Sequence, residues 1–139
     1  MRLWHKDLIP VLPRKQLLGQ WRECCLIAKN IAEKGTPNHL LVNKVMNYTL
    51  GQFWCYGQFI ILEMDRRGYS VDDEKFDKYF TISELDLSAT KSDIFRGWHD
   101  NQYLLQCFYN LQEKFDCGGM TNEEYNKIHT FMIERGFRV

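Results

Sequence analysis

The segment that most constrains the fold spans residues 14–33, where apolar residues recur at helical spacing. These positions lie three or four residues apart and fall on one side of a helix: Leu17, Leu18, Trp21, Cys24, Cys25, Ala28, Ile31 and Ala32. Pro13 precedes the segment, and Gly35 and Pro37 follow it. Glycine suits a left-handed C-terminal cap, and proline cannot continue a helix. The segment is therefore predicted to be a long helix that packs one face against the rest of the chain.

Most of the remaining sequence also favours helices. They are predicted at His39–Tyr48, at Leu50–Arg67, as one short helix within Val71–Phe80, at Asp93–Phe115 with an interruption near Gly97, and from a Thr121–Glu124 capping box to about Glu134. Residues 81–92 are predicted to form a loop or broken turns. No repeat, low-complexity segment or linker divides the chain. We therefore expect an all-α, compact single-domain bundle of about five to six helices with irregular connections, covering residues 1–139.

Composition excludes several classes of protein. An apolar fraction of 45% with 26% charged residues is typical of a soluble globular chain. No apolar run approaches the roughly 18 residues of a membrane span, and MRLWHKDLIP lacks the features of a secretion signal. The five cysteines are odd in number and irregularly spaced, which favours reduced thiols over disulfides or zinc. We expect a cytoplasmic protein with no membrane partner, no metal and no cofactor.

The net charge of zero conceals an uneven distribution. Residues 1–50 carry a net charge of +5 and residues 51–139 carry −5. A basic region on a neutral protein indicates a polyanionic partner such as nucleic acid, although mixed charge patches are also common on ordinary surfaces.

The polar side of the first long helix carries an unusual pair of residues. Lys15, Arg22 and Lys29 lie seven residues apart along one edge, while Gly19 and Glu23 are stacked nearly opposite the apolar centre. A glycine within a helix costs roughly 1 kcal/mol relative to alanine. Either these are solvated charges beside a helix flaw, or another backbone or a ligand comes close at Gly19. The pair alone does not decide between these interpretations.

Several motifs in the first half are similar to a known family. The start MRLW, Arg14 and the stretch LLGQWRE, with Arg22-Glu23, resemble the pyrimidine-dimer DNA glycosylase family. Weaker likenesses lie in residues 53–58 (FWCYGQ), residues 63–69 (EMDRRGY) and residues 35–39 (GTPNH). The resemblance extends over about residues 1–70. It implies a few packed helices, and glycosylase activity combined with abasic-site lyase activity.

The same resemblance implies catalytic roles for three residues. A terminal α-amine attacks C1′ of the damaged nucleotide, expels the base and forms a Schiff base, after which β-elimination breaks the strand. Because Arg2 is too bulky for removal of the initiator methionine, we expect Met1 to supply this amine. Glu23 is the expected acid that supports the proton transfers, with Arg22 beside it, and Gly19 is expected to leave room for the terminal strand.

An α-amine suits this chemistry because its ordinary pKa is about 8, against about 10.4 for a lysine side chain. The expected partner is double-stranded DNA with a damaged base or an abasic site. DNA contacts are expected from Arg2, Arg14, Lys15, Lys29 and His39, with His5 and Trp4 as further candidates at the site.

Two other functions are compatible with the sequence. A non-catalytic helical module would bind nucleic acid through the basic half and would not depend on Glu23. A helical interaction domain would carry Arg22-Glu23 only as surface charge. The catalytic hypothesis alone requires a free N-terminus.

Overall fold

Helices provide the regular secondary structure of the chain. The computed structural model describes residues 1–81, 83, 85 and 90–139. Within these residues all regular secondary structure is helical, which confirms the all-α prediction. The α-helices are α1 (Arg14–Lys34), α2 (Leu50–Arg66), α3 (Glu74–Asp77), α4 (Asn101–Asp116) and α5 (Asn122–Glu134), and 3-10 helices lie at Lys6–Val11, Asn43–Asn47 and Lys91–Asp93.

Local capping signals fix the ends of the long helices. Gly35 adopts φ +75° after α1, and its N–H donates to the Ile31 carbonyl oxygen at 2.9 Å. Thr121 and Glu124 form a reciprocal capping box at the start of α5. The predicted helices over residues 14–33 and from Leu50 are therefore confirmed to within one residue at each end.

The helix predicted from Asp93 is wrong over its first residues, because α4 begins only at Asn101. Phe95 and Gly97 have φ angles of +54° and +87°, and these left-handed conformations turn the chain instead of continuing a helix. Asp100 then caps α4 by accepting a hydrogen bond from the Tyr103 N–H at 2.9 Å. The interruption expected near Gly97 is present.

One other predicted helix differs from the structure. The helix predicted over His39–Tyr48 is only the 3-10 helix Asn43–Asn47, whereas the short helix predicted within Val71–Phe80 is confirmed as α3. The 3-10 helix Lys6–Val11 was not predicted, because it contains Pro10. Of the loop predicted over residues 81–92, Ile82, Glu84 and residues 86–89 lie outside the described residues, and Lys91 and Ser92 belong to the last 3-10 helix.

The N-terminal segment is packed between three helices. Leu3, Trp4 and His5 are 0%, 7% and 2% exposed. They contact α1, which packs against α2, and also reach α2 and α4 through hydrogen bonds described below. None of the described helices combines the length and apolarity needed to span a membrane, and none of the cysteines forms a disulfide. The first residues of the chain are thus an integral part of the core.

Candidate active site

A buried glutamine of α1 binds the N-terminal segment. Gln20 is 1% exposed, and its Oε1 accepts a hydrogen bond from the Trp4 N–H at 2.7 Å. Its Nε2 donates to the Arg2 carbonyl oxygen at 2.9 Å. The Tyr56 hydroxyl of α2 lies 2.6 Å from the Trp4 carbonyl oxygen and 2.9 Å from Gln20 Oε1. Because its donors and acceptors pair with backbone groups, Gln20 fixes residues 2–4 against α1.

Glu23 lies one helical turn further along α1 and contacts the same segment. Its Oε2 accepts hydrogen bonds from the Arg2 N–H at 3.4 Å and from Gln20 Nε2 at 3.3 Å. The Glu23 carboxylate is therefore held next to the peptide bond that joins Met1 to Arg2.

A small cavity opens where these groups meet. Its volume is about 200 Å³, and residues from the N-terminal segment, α1, α4 and the turn before Asn43 line it: Met1, Arg2, Trp4, Glu23, Leu41, Asn110 and Lys114. Its lining residues include Met1, which carries the chain's α-amine, Glu23, which carries a carboxylate, and Lys114, which carries a second amine. Nucleophilic attack by an amine with acid–base assistance needs these functional groups in one place.

Histidine and tyrosine side chains contact the N-terminal segment on its buried side. The Lys6 N–H donates to His99 Nδ1 at 3.0 Å, and the His5 ring stacks on His99 at 5.1 Å between centroids. Burial, with a smaller contribution from the neighbouring His5, lowers the pKa of His99 to about 2, so this imidazole is neutral. The Tyr103 hydroxyl donates to the Leu3 carbonyl oxygen at 2.6 Å, and burial raises the pKa of Tyr103. His5 therefore lies in the core and does not line the cavity.

The basic residues of α1 have the placement that their spacing predicted. Lys15, Arg22 and Lys29 are all exposed. Arg22 forms no hydrogen bond or ion pair with any residue that the structure describes. Arg2 lines the cavity, with its guanidinium carbon 5.7 Å from the Trp4 ring centroid.

Two further candidates lie outside the cavity lining. The Arg14 N–H donates to Glu124 Oε2 at 3.1 Å, and its guanidinium carbon is 5.4 Å from the Tyr69 ring centroid. Arg14 lines a separate groove of about 430 Å³. His39 accepts a hydrogen bond at Nδ1 from the Leu41 N–H at 3.3 Å. His39 thus shapes the turn that brings Leu41 to the cavity.

The role expected for Gly19 is wrong. A Cβ atom built at Gly19 would have no neighbour within 4 Å among the described residues, so the terminal strand does not occupy this gap. The strand reaches Glu23 on another side of the helix, where Gln20 binds it.

Sequence reasoning missed four residues of the site. Gln20 had a signal, because it lies three residues after Leu17 and four before Cys24, and therefore on the buried side of α1. Leu41, Asn110 and Lys114 had none, because their place in the cavity depends on tertiary contacts between distant parts of the chain.

Comparison with known proteins identifies the family. The family model for pyrimidine dimer DNA glycosylases matches residues 1–77. The chain belongs to this family. The match includes α1, α2 and the cavity residues from Met1 to Leu41, whereas Asn110 and Lys114 lie beyond it. No curated protein and no solved structure gives a significant match.

Membership of the pyrimidine dimer DNA glycosylase family assigns the general activity. The chain is a DNA repair glycosylase of the pyrimidine-dimer type, and its substrate is damaged DNA. The cavity between the N-terminal segment, α1 and α4 is the candidate place for this reaction.

Proposed function

We propose that the chain is both a glycosylase and an abasic-site lyase, with the Met1 α-amine as nucleophile and Glu23 as the acid–base group. The observation that carries this proposal is the shared cavity in which Met1 and Glu23 meet. The hydrogen bond from the Arg2 N–H to Glu23 Oε2 keeps the carboxylate next to the terminal residue. An amine and a carboxylate so placed can exchange protons during covalent catalysis.

In the first step the neutral amine nitrogen bonds to C1′ as the C1′–base bond breaks. The base leaves with the bonding electrons and takes up a proton from water. Glu23 then removes one proton from the nitrogen and gives it to O4′ as the C1′–O4′ bond breaks, which leaves a Schiff base between Met1 and C1′. Loss of a C2′ proton and departure of the 3′ phosphate break the strand by β-elimination. Water finally hydrolyses the Schiff base and restores the amine.

Arg22 and Arg2 are proposed to hold the DNA backbone at this site. Arg22 is exposed on α1 beside Glu23, and Arg2 lines the cavity. A planar guanidinium can donate two parallel hydrogen bonds to one phosphate. Lys15 and Lys29 extend the same basic edge of α1 for contact with further phosphates.

Lys114 is the competing nucleophile for the same chemistry, because it lines the same cavity. A lysine amine also forms Schiff bases. The α-amine is favoured because an ordinary α-amino group is a weaker base than an ordinary lysine, and so is more often neutral near pH 7.

We further propose that the chain forms one helical domain and lies in a reducing cytoplasm. The α4 helix contributes Asn110 and Lys114 to a cavity whose other residues come from the first 41 positions. A reducing compartment is consistent with Cys24, Cys25, Cys107 and Cys117, which form no disulfide.

The test is borohydride trapping of untagged protein on duplex DNA with one abasic site. We expect a covalent adduct that an N-terminal extension abolishes and that Lys114→Met leaves in place. Glu23→Gln should slow strand cleavage by about a hundredfold or more, the usual contribution of a general acid–base group. Retention of the adduct after extension would contradict the role of Met1. DNA binding without any adduct would instead support a binding module.

A further inference from the structure

Two adjacent leucines project into solvent at the rim of the candidate active site. Leu40 is 89% exposed and Leu41 is 51% exposed, and Leu41 also lines the cavity. Single exposed leucines are common on protein surfaces. Two consecutive ones beside a cavity that Met1 and Glu23 line require an explanation, because burying this apolar surface would be favourable.

The turn that presents these leucines is held in one conformation by hydrogen bonds. The His39 carbonyl oxygen accepts from the Val42 N–H at 3.1 Å and from the Asn43 N–H at 2.9 Å. The Asn43 Oδ1 accepts from the His39 N–H at 3.0 Å. His39 Nδ1 accepts from the Leu41 N–H, as described above. The turn therefore has a defined conformation that presents the two leucines.

Two buried valines occupy the core next to the turn. Val42 is fully buried, and Val45 is 3% exposed. These valines anchor the turn, so Leu40 and Leu41 remain outside while their neighbours pack. The exposed leucines are thus available to a partner.

The charge around the turn fits DNA. The sequence contains no Asp or Glu between Lys34 and Glu63, whereas Lys44 lies beside the turn and Lys114 lines the cavity. An apolar tip flanked by cations is suited to enter a base stack while the cations contact phosphates.

We infer that the Leu40–Leu41 turn is a wedge that inserts between base pairs and helps to expose the nucleotide that reacts in the cavity. This inference rests on the proposed function, since attack at C1′ in the cavity is expected to require a nucleotide displaced from the base stack. Enzymes that act on a base commonly extrude the nucleotide, and inserted apolar side chains partly unstack the neighbouring bases. The wedge replaces some of the stacking that the duplex loses.

The test compares Leu40→Ser with the matched control Leu62→Ser. Leu40 does not line the cavity, so its substitution leaves the cavity lining unchanged. Leu62 is 60% exposed on α2 and does not line the cavity either. Two substrates are used, a duplex with one abasic site and the same abasic strand without its complement. We expect Leu40→Ser to cleave the duplex about tenfold more slowly or worse, because unstacking loses its support. Cleavage of the single strand by Leu40→Ser should stay near the wild-type rate, and Leu62→Ser should match wild type on both substrates.

A second readout separates the wedge from the chemistry. The duplex carries 2-aminopurine beside the abasic site, whose fluorescence rises when the base unstacks. Wild-type protein and Leu62→Ser should raise the emission on binding, and Leu40→Ser should not. Three results would each overturn the wedge: duplex cleavage at the wild-type rate by Leu40→Ser, an equal loss on both substrates, or no rise in emission with wild type. Failure of wild type to form any adduct, with the emission still rising, would overturn only the proposed chemistry.

Discussion

At the scale of single residues, the site depends on a glutamine that joins α1 to the start of the chain. Gln20 pairs with backbone groups of Arg2 and Trp4 and donates to Glu23. Its side chain therefore sets both the position of the terminal residue and the orientation of the carboxylate. Gln20 is therefore proposed to position the reacting groups without itself reacting.

We expect Gln20→Ala to lower the free energy of unfolding by about 3 kcal/mol, because buried backbone groups lose their partners. Gln16→Ala is the matched control, one turn earlier on α1. The buried Gln16 Oε1 has no hydrogen-bond partner among the described residues, so its removal should cost less than about 1 kcal/mol. Urea unfolding measures both values. Equal losses in the two variants would contradict the role of Gln20.

His99 should make stability depend on pH. Its folded pKa of about 2 lies below the ordinary value of 6.5, so between these values the unfolded chain binds a proton that the folded chain does not. The contribution of His99 is fully present above pH 6.5. It falls as the pH drops, by up to about 1.4 kcal/mol per pH unit.

His99→Gln keeps a side-chain oxygen acceptor but does not titrate. The loss of unfolding free energy between pH 6.5 and pH 4.5 should therefore be smaller in His99→Gln than in wild type. Chemical denaturation at several pH values measures this difference, and equal slopes would contradict the prediction.

At the scale of helices, two glycines differ in the space available for a side chain. Gly57 lies where α3 approaches α2, and a Cβ atom there would overlap the ring of the buried Phe76. A Cβ atom built at Gly19 would instead have no neighbour within 4 Å among the described residues. Both lie inside α-helices, so the surroundings distinguish them and not the local sequence.

Gly57→Ala should destabilise the fold by about 1–3 kcal/mol through overpacking against Phe76. Gly19→Ala should stabilise it by up to about 1 kcal/mol, because alanine is the better helix former. Thermal unfolding of the two variants in parallel provides the measurement. A Gly19→Ala variant less stable than wild type would contradict the open space found around Gly19.

Helix ends could be predicted where the signal is local. Gly35 and the Thr121–Glu124 capping box act within one turn of chain, and both helix ends were predicted from them. The start of α4 was missed because nothing in the sequence marks Phe95 as a left-handed residue. Glu23 was predicted from a motif, whereas Lys114 enters the cavity only when α4 packs beside the N-terminal segment.

At the scale of the whole molecule, the charge distribution should govern DNA binding. The basic first half contains α1, whose exposed cations line one edge of that helix. A protein that neutralises phosphates releases counterions, so its affinity for DNA falls as salt rises. Because of the basic first half, we expect the affinity for DNA to fall as the salt concentration rises.

Arg22→Ala should weaken DNA binding and make the plot of log affinity against log salt shallower by about 0.9, the value for one phosphate contact. Arg138→Ala, at an exposed arginine near the other end of the sequence, should leave the slope unchanged. Fluorescence anisotropy at several salt concentrations measures both. An unchanged slope for Arg22→Ala would contradict its proposed phosphate contact.

The central claim is that the α-amine of Met1 is the nucleophile. Peptide mapping by mass spectrometry of the borohydride-reduced adduct tests it most directly, because it locates the atom that carries the sugar. The account predicts the modification on the Met1 amine and none on Lys114. A sugar on Lys114, or on any other lysine, would contradict the account.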